Sequence, residues 1–258
     1  MEDIKIIIAT HKNYTMPNDS IYLPLHVGKE NKEDLGYIGD NSGENISDKN
    51  PYFCELTGMY WAWKNLKNDY IGLVHYRRYF GNRRRNKNPF ENILSNNEIE
   101  NFLSTTDVIL PKKRNYYIET LYSHYKNTMY IEPLDETKKI IEKLCPEYSE
   151  YFDKLKKRTS AHMFNMFIMK KDIFDNYCKW LFQILFELEK RIDTSKYDSF
   201  HGRFYGRVSE LLLDVWIEKN NISYAEVPVI NMEKINWLYK GGMFLVSKFI
   251  GKKYKKSF

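Results

Sequence analysis

The stretch Tyr70-Ile-Gly-Leu-Val-His-Tyr-Arg-Arg-Tyr-Phe80 decides the reading of the fold. A short apolar run, Ile71 to Val74, gives way at once to His75, Tyr76, Arg77, Arg78 and Tyr79. That is the pattern of a buried strand that delivers polar side chains to the rim of a sheet. In an open α/β sheet, ligands bind beyond the carboxyl ends of the strands. Guanidinium forks match phosphate oxygens, so Arg77 and Arg78 at such a rim suit a dianion. The stretch therefore predicts a central strand whose end holds a nucleotide diphosphate. Strand alternation adds a condition: both arginines reach one ligand only if the strand stops at His75 and a loop turns them. His75 itself is either a donor to phosphate or sugar, or a histidine satisfying nearby backbone.

Working outward, Ile4 to Ala9 reads as another buried strand, ended by Thr10-His11-Lys12, and Ile21 to Val27 as a weaker one. Residues 28–52 are rich in Gly, Asn, Asp and Ser, which is loop chemistry. A loop of that length is commonly functional. Its Asp40, Asn41 and Asp48 are suited to ribose hydroxyls, and each taken alone fits a turn-forming role better. Glu55 to Leu66 reads as a helix, with the Glu55 carboxylate either complementing the helix dipole or contacting the donor. Trp61 and Trp63 are two apart and cannot share a face, so one belongs to the core and the other, with Trp61 the candidate, lines a site.

Downstream, helical character is expected at Pro89–Leu103, 116–131, Asp135–Cys145, Glu147–Lys157, Asp172–Arg191 and Ser209–Lys219. Strands are expected at Thr106–Leu110, stopped by Pro111, at His162–Met169 and at Ser223–Pro228. Interleaved strands and helices, with helices concentrated in the second half, predict an α/β domain over residues 1–233. Its central sheet is mixed, mostly parallel and flanked by helices. The remaining 234–258, KINWLYKGGMFLVSKFIGKKYKKSF, alternate lysines with aromatic and aliphatic residues. That composition fits a membrane-surface segment or an ordinary packing helix with a solvated end.

Composition narrows the class. The chain has 258 residues, 43% hydrophobic and 29% charged, as soluble globular proteins do. A formal charge of +6 favours anionic partners. Cys54, Cys145 and Cys178 lie far apart with no CxxC spacing. That argues against structural zinc and for reduced thiols in a cytoplasmic protein. The start MEDIKIIIAT lacks signal-peptide character, and no apolar run is long enough to span a bilayer. The loop Gly81–Asn88, with Arg83, Arg84 and Arg85, supports a second reading as a nucleic-acid binder. Against it, acidic residues are spread throughout and no nucleic-acid motif is present. A non-catalytic scaffold is a third reading.

Four segments carry a resemblance: ATHK at 9–12, ISDKN at 46–50, ELTGMYWAWKN at 55–65 and GLVHYRRYF at 72–80. They resemble a family of bacterial capsular and exopolysaccharide glycosyltransferases, described in part as a domain of unknown function. FNMFIMKKDIFDNYCKWLF at 164–182 and RVSELLLDVWIEKN at 207–220 extend the likeness over nearly the whole chain. The resemblance implies a GT-A-like fold, a UDP-sugar donor and a lipid-linked oligosaccharide acceptor. It also implies work at the cytoplasmic face of the membrane, with galactose as the sugar suggested. It places Thr10 and His11 where such a fold grips the nucleotide base. It sets His75-Tyr76-Arg77-Arg78 where an Asp-x-Asp would hold a metal, so no metal cofactor is expected. Glu210 and Asp214, four apart on one helix face, read either as candidate bases or as a solvated stripe; the likeness selects Glu210 as the catalytic base and sets Asn165 at the sugar, with His162 as a further contact there. Arg203 and Arg207 flank glycines in FHGRFYGR, a basic loop suited to closing over phosphate.

Overall fold

The computed structural model describes residues 2–82 and 84–233 of the chain; the tail expected at 234–258 lies outside them. In the first third, β1 (Ile4–Thr10), β2 (Tyr22–His26) and β3 (Ile38–Gly39) precede the short α1 (Asn50–Phe53) and α2 (Leu56–Asn65). Next come β4 (Tyr70–His75), β5 (Arg78–Phe80), α3 (Asn96–Leu103), β6 (Val108–Pro111) and β7 (Arg114–Asn115). The helical part follows with α4 (Leu121–Thr128), α5 (Glu132–Leu144) and α6 (Ser149–Lys156). It continues through β8 (Ser160–Ala161), β9 (Phe167–Lys170), α7 (Lys171–Arg191) and α8 (Phe204–Lys219) to β10 (Ala225–Val227) and β11 (Val229–Asn231).

The central sheet runs β10-β6-β9-β4-β1-β2-β3. Four of its six pairings are parallel; β9 is antiparallel to both β4 and β6. This is the mixed, mostly parallel sheet that the sequence predicts. Alternation along β1 divides its side chains between two cores. Ile7 and Ala9 face the helical layer with Leu25, Leu73, Phe53 and Phe174. Ile6 and Ile8 face a thinner layer built from Tyr79, Phe80, Leu94 and Ile99. Both faces are thus covered, and near-continuous apolar runs in the inner strands follow from that. Gly72 of β4 is required by closeness: a Cβ there would lie 2.9 Å from Ile6 and 3.1 Å from Ile168.

β4 stops at His75 as the two arginines require. Tyr76 and Arg77 make a tight turn, and Arg78 returns opposite His75 to begin β5, which pairs with β11. Several expected boundaries move. The Pro89–Leu103 helix is split, because Ser95 starts a fresh helix with a capping box to Glu98. Pro111 is the last residue of β6 rather than the first residue after it, a terminal position where a missing N–H is tolerated. The strand expected at His162–Met169 is broken by Phe164 (φ 80°) and Asn165 (φ 52°). α8 begins five residues earlier than its periodicity suggests, running straight through Gly206. Residues 223–228 give β10, and a further strand, β11, follows Pro228.

The long loop 28–52 serves packing, which corrects three expected ligand contacts. Asp40 is fully buried and accepts from the backbone N–H of Gly28 (2.8 Å) and Lys29 (3.1 Å). The hydroxyls of Ser47 and Thr57 donate to its two oxygens as well. Asp40 therefore ties the loop to α2 and has no oxygen to offer a ribose. Asn41 is solvent-exposed and does not line the cleft at the ends of β1 and β4. Trp61 is buried and donates its indole N–H to Ser42 Oγ (2.9 Å), while Trp63 stacks on Phe182. Both tryptophans pack the helical layer. Asp40→Ala would leave two amides and two hydroxyls without their acceptor, a loss of about 3 kcal/mol or more. Thermal unfolding should show the melting temperature falling by about 10 °C; a drop under about 2 °C would contradict the role given to Asp40.

Candidate functional site

A cleft of about 980 Å³ opens at the carboxyl ends of β1, β2 and β4, where Ala9, His11, Val27 and His75 line it. Seven Lys or Arg side chains and two glutamates, Glu55 and Glu210, also line it, so 7 − 2 gives a wall of net charge +5. Cations gathered in a concave wall focus their field on an entering anion.

The two arginines of the turn both reach this cleft. Arg78 lays its guanidinium over the Phe164 ring at 4.7 Å. Burial, then the charge of Arg77, reduces its hold on the proton, though an arginine remains cationic. Arg77 stands over the Tyr76 ring and pairs with Glu233 at 3.2 Å. Tyr76 is buried and meets the His11 ring edge-on at 5.3 Å. His11 lies on the cleft rim, where desolvation and then Lys12 lower its proton affinity. His75 Nε2 is 2.6 Å from the Phe164 carbonyl oxygen. A carbonyl only accepts, so Nε2 carries the hydrogen and donates. Burial keeps the ring's pKa below the ordinary imidazole value, which favours the neutral form.

The carboxylates are placed by the same corner. Glu210, on α8, accepts from the backbone N–H of Phe164 (3.2 Å) with Oε1 and from Arg207 Nη1 (3.4 Å) with Oε2. Glu210 in turn raises the proton affinity of Arg207. Each of its oxygens thereby accepts a hydrogen bond from the protein, and Glu210, the base expected from sequence, lines the cleft. Glu55, at the start of α2, accepts from Asn165 Nδ2 with Oε1 (2.7 Å), and no hydrogen bond from a described residue reaches its Oε2. Of the two lining carboxylates it is the one with an oxygen left for a ligand.

Three other expected contacts sit behind the wall. Asn165, 2% exposed, spans Glu55 and the Gly206 carbonyl (3.1 Å), so it holds Glu55 from behind. Thr10 is buried and donates to the Lys12 carbonyl (2.7 Å), fixing the turn that presents His11. His162 is fully buried between Asp214 on Nδ1 and Glu226 on Nε2 (2.9 Å), a strut joining α8 to β10. Asp214 is consumed by that strut and is buried, not solvated. The cleft also has a wall the sequence reading passes over: Arg114, Tyr116, Leu121, His124 and Tyr125, from residues 114–125. The signal present in the sequence is KKRNYYI at 112–118, a basic run joined to aromatics. Of the Arg83–Arg85 run, Arg84 pairs with Glu98 and neither Arg84 nor Arg85 lines the cleft.

Within that wall His124 Nδ1 lies 3.0 Å from a buried Glu119 oxygen, and Tyr116 stacks on the imidazole at 4.0 Å. Burial outweighs Glu119 and pushes the His124 pKa down to about 4. A depressed folded pKa means that the unfolded chain binds a proton first as pH falls from 6.5 toward about 4. Stability from this residue is present above pH 6.5 and lost across that window. The melting temperature of His124→Gln should therefore vary less between those two pH values than that of the wild type. Equal slopes would contradict the assignment.

Residues 5–221 match the family described as Domain of unknown function (DUF4422). No curated protein matches the chain. Among solved structures, the apo structure of the bifunctional glycosyltransferase WbbM is similar, with a TM-score of 0.83 and 32% identity, covering 90% of this chain and 46% of that one. The chain thus spans about half the length of that protein. These matches agree with the resemblance carried by the motifs as far as the family and a glycosyltransferase neighbour. The family match takes in both the β4 turn and the α8 carboxylates, and the chain belongs to the DUF4422 family.

Proposed function

We propose that the chain is a glycosyltransferase of GT-A-like layout, moving a sugar from a UDP-sugar to a glycan acceptor. The observation that carries this reading is the convergence of Arg77, Arg78 and Arg207 on one cleft at the end of β4. The likeness to a bifunctional glycosyltransferase supports it. In the transfer, an acceptor hydroxyl oxygen bonds to the anomeric carbon and the bond from that carbon to the diphosphate oxygen breaks. The electron pair stays on the diphosphate. Guanidiniums already fixed around that oxygen stabilise the growing charge without rearranging, which is where such groups act most strongly. The released hydroxyl proton has Glu55 as its acceptor, with Asn165 holding the carboxylate in place. Glu210 keeps Arg207 and the Phe164 backbone in register. The arginines take the part a divalent ion plays elsewhere, so the reading includes metal independence. Galactose as the sugar, a lipid-linked oligosaccharide as acceptor, and capsule or exopolysaccharide assembly at the inner membrane face belong to the same proposal. Their support is the motif resemblance.

UDP should raise the melting temperature equally with and without EDTA, since ligand that binds only the native state stabilises it. Abolition of that rise by EDTA would contradict the metal-independent reading. Arg78→Ala should lower kcat/KM for a UDP-sugar by about 100-fold, with Arg78→Lys intermediate, as loss of a charge-stabilising donor does. Unchanged turnover in Arg78→Ala would contradict the role of the turn.

A further inference from the structure

Resting on the sugar-transfer reading, we propose that the acceptor glycan carries a phosphate, received by Arg114 and Lys112 at the carboxyl end of β6, apart from the diphosphate at β4. β6 and β4 are both antiparallel to β9, so they run the same way and end at the same edge of the sheet. Ile109 pairs with Ile168, which pairs with Gly72, so Lys112 stands level with His75 two strands away. Two strand spacings are about 10 Å. Lys112 and Arg114 both line the cleft, and backbone pairing fixes both. The Lys112 N–H donates to the Val227 carbonyl (2.9 Å), and Arg114 pairs with Ala161 between β7 and β8.

The charge of the cleft exceeds what one donor neutralises. A sugar diphosphate brings about two negative charges, one per phosphate, so about three of the five surplus positive charges remain. A phosphate monoester, at about −1.5 to −2, offsets most of that remainder. Arg77 and Arg207 have carboxylate partners in Glu233 and Glu210, whereas no carboxylate of a described residue forms an ion pair with Lys112 or Arg114. Arg114 lays its guanidinium over the buried Tyr116 ring at 5.1 Å. A ring contact takes the face of the guanidinium and leaves its N–H edge for an oxyanion. Nearby, Tyr117 lines the same cleft, is 82% exposed and is held at φ 56°. A bulky residue in that region is strained, and such strain clusters at ligand sites. An exposed phenol ring beside an oxyanion site suits the apolar face of the sugar that bears the phosphate.

Protein-observed NMR titrations of the whole chain test this with three probes: glucose 1-phosphate, methyl glucoside and inorganic phosphate, each with UDP saturating and then without it. With UDP in place, glucose 1-phosphate should bind at least about tenfold more tightly than methyl glucoside, the effect of charge-assisted hydrogen bonds. Arg114→Gln should weaken glucose 1-phosphate about tenfold, with Arg114→Lys intermediate, while its affinity for UDP changes by less than about twofold. Lys112→Gln should act in the same direction, and melting temperatures check that each variant folds. Tyr117→Ala should bring glucose 1-phosphate down to the affinity of inorganic phosphate. No binding of glucose 1-phosphate at about 10 mM once UDP is bound overturns the subsite. Equal loss of UDP and glucose 1-phosphate affinity in Arg114→Gln overturns it too, since Arg114 then belongs to the diphosphate. Inorganic phosphate bound by the wild type as tightly as glucose 1-phosphate gives the site to a free ion and overturns its assignment to a glycan. Arg114-dependent binding of glucose 1-phosphate without any binding of UDP supports the subsite and counts against the diphosphate reading alone.

Discussion

The corner at Phe164–Asn165 is the constraint on which the site depends. Two consecutive non-glycine residues at positive φ are strained, by about 1–3 kcal/mol each, and persist only where the surroundings over-determine them. Here they do. The Phe164 N–H is taken by Glu210, its carbonyl by His75, and its ring by Arg78. The Asn165 amide reaches Glu55 and Gly206. One corner therefore fixes the end of β4, the start of α2 and the first turns of α8 relative to one another. The basic and acidic groups of the cleft are set at the same time, by one piece of backbone.

That arrangement explains why so many cations share one concave wall. Five surplus positive charges would repel one another in a closed protein interior, and they stand instead around an open cleft. Arg207 is held by Glu210 and Arg77 by Glu233, so each keeps a fixed position while its charge stays directed at the cleft. Such preorganisation is worth more to a developing anion than mobile charge is, because no reorganisation is needed when the anion forms. His75 held neutral and Glu55 held from behind add polar contacts without adding to the repulsion.

Much of the sheet was legible because its strands are short apolar runs ended by polar residues, as at Ile4–Thr10 and Ile71–His75. The turn at Tyr76–Arg77 was legible as a condition rather than a prediction, since two adjacent arginines on one ligand demand it. Loop carboxylates were not legible: Asp40 reads the same in sequence whether its four acceptor sites meet a ribose or four protein donors. His162 and Asp214 are likewise ordinary polar residues until burial pairs them. The strained corner was hidden because FNMFIMK looks like one strand, and nothing local to Phe164 demands positive φ. What demands it is long-range, from His75, Glu55 and Glu210. The α4 wall was hidden because its residues read as an aromatic helix, and only packing shows which rings face the cleft.

The central claim is that fixed guanidiniums at the end of β4 receive a diphosphate. Calorimetric titration of uridine, UMP and UDP in EDTA, at low and at high salt, tests it most directly. The account predicts affinity rising about tenfold with each added phosphate, one charge-assisted contact at a time, and the increments shrinking at high salt. Equal affinity for uridine, UMP and UDP, unaffected by salt, would contradict it.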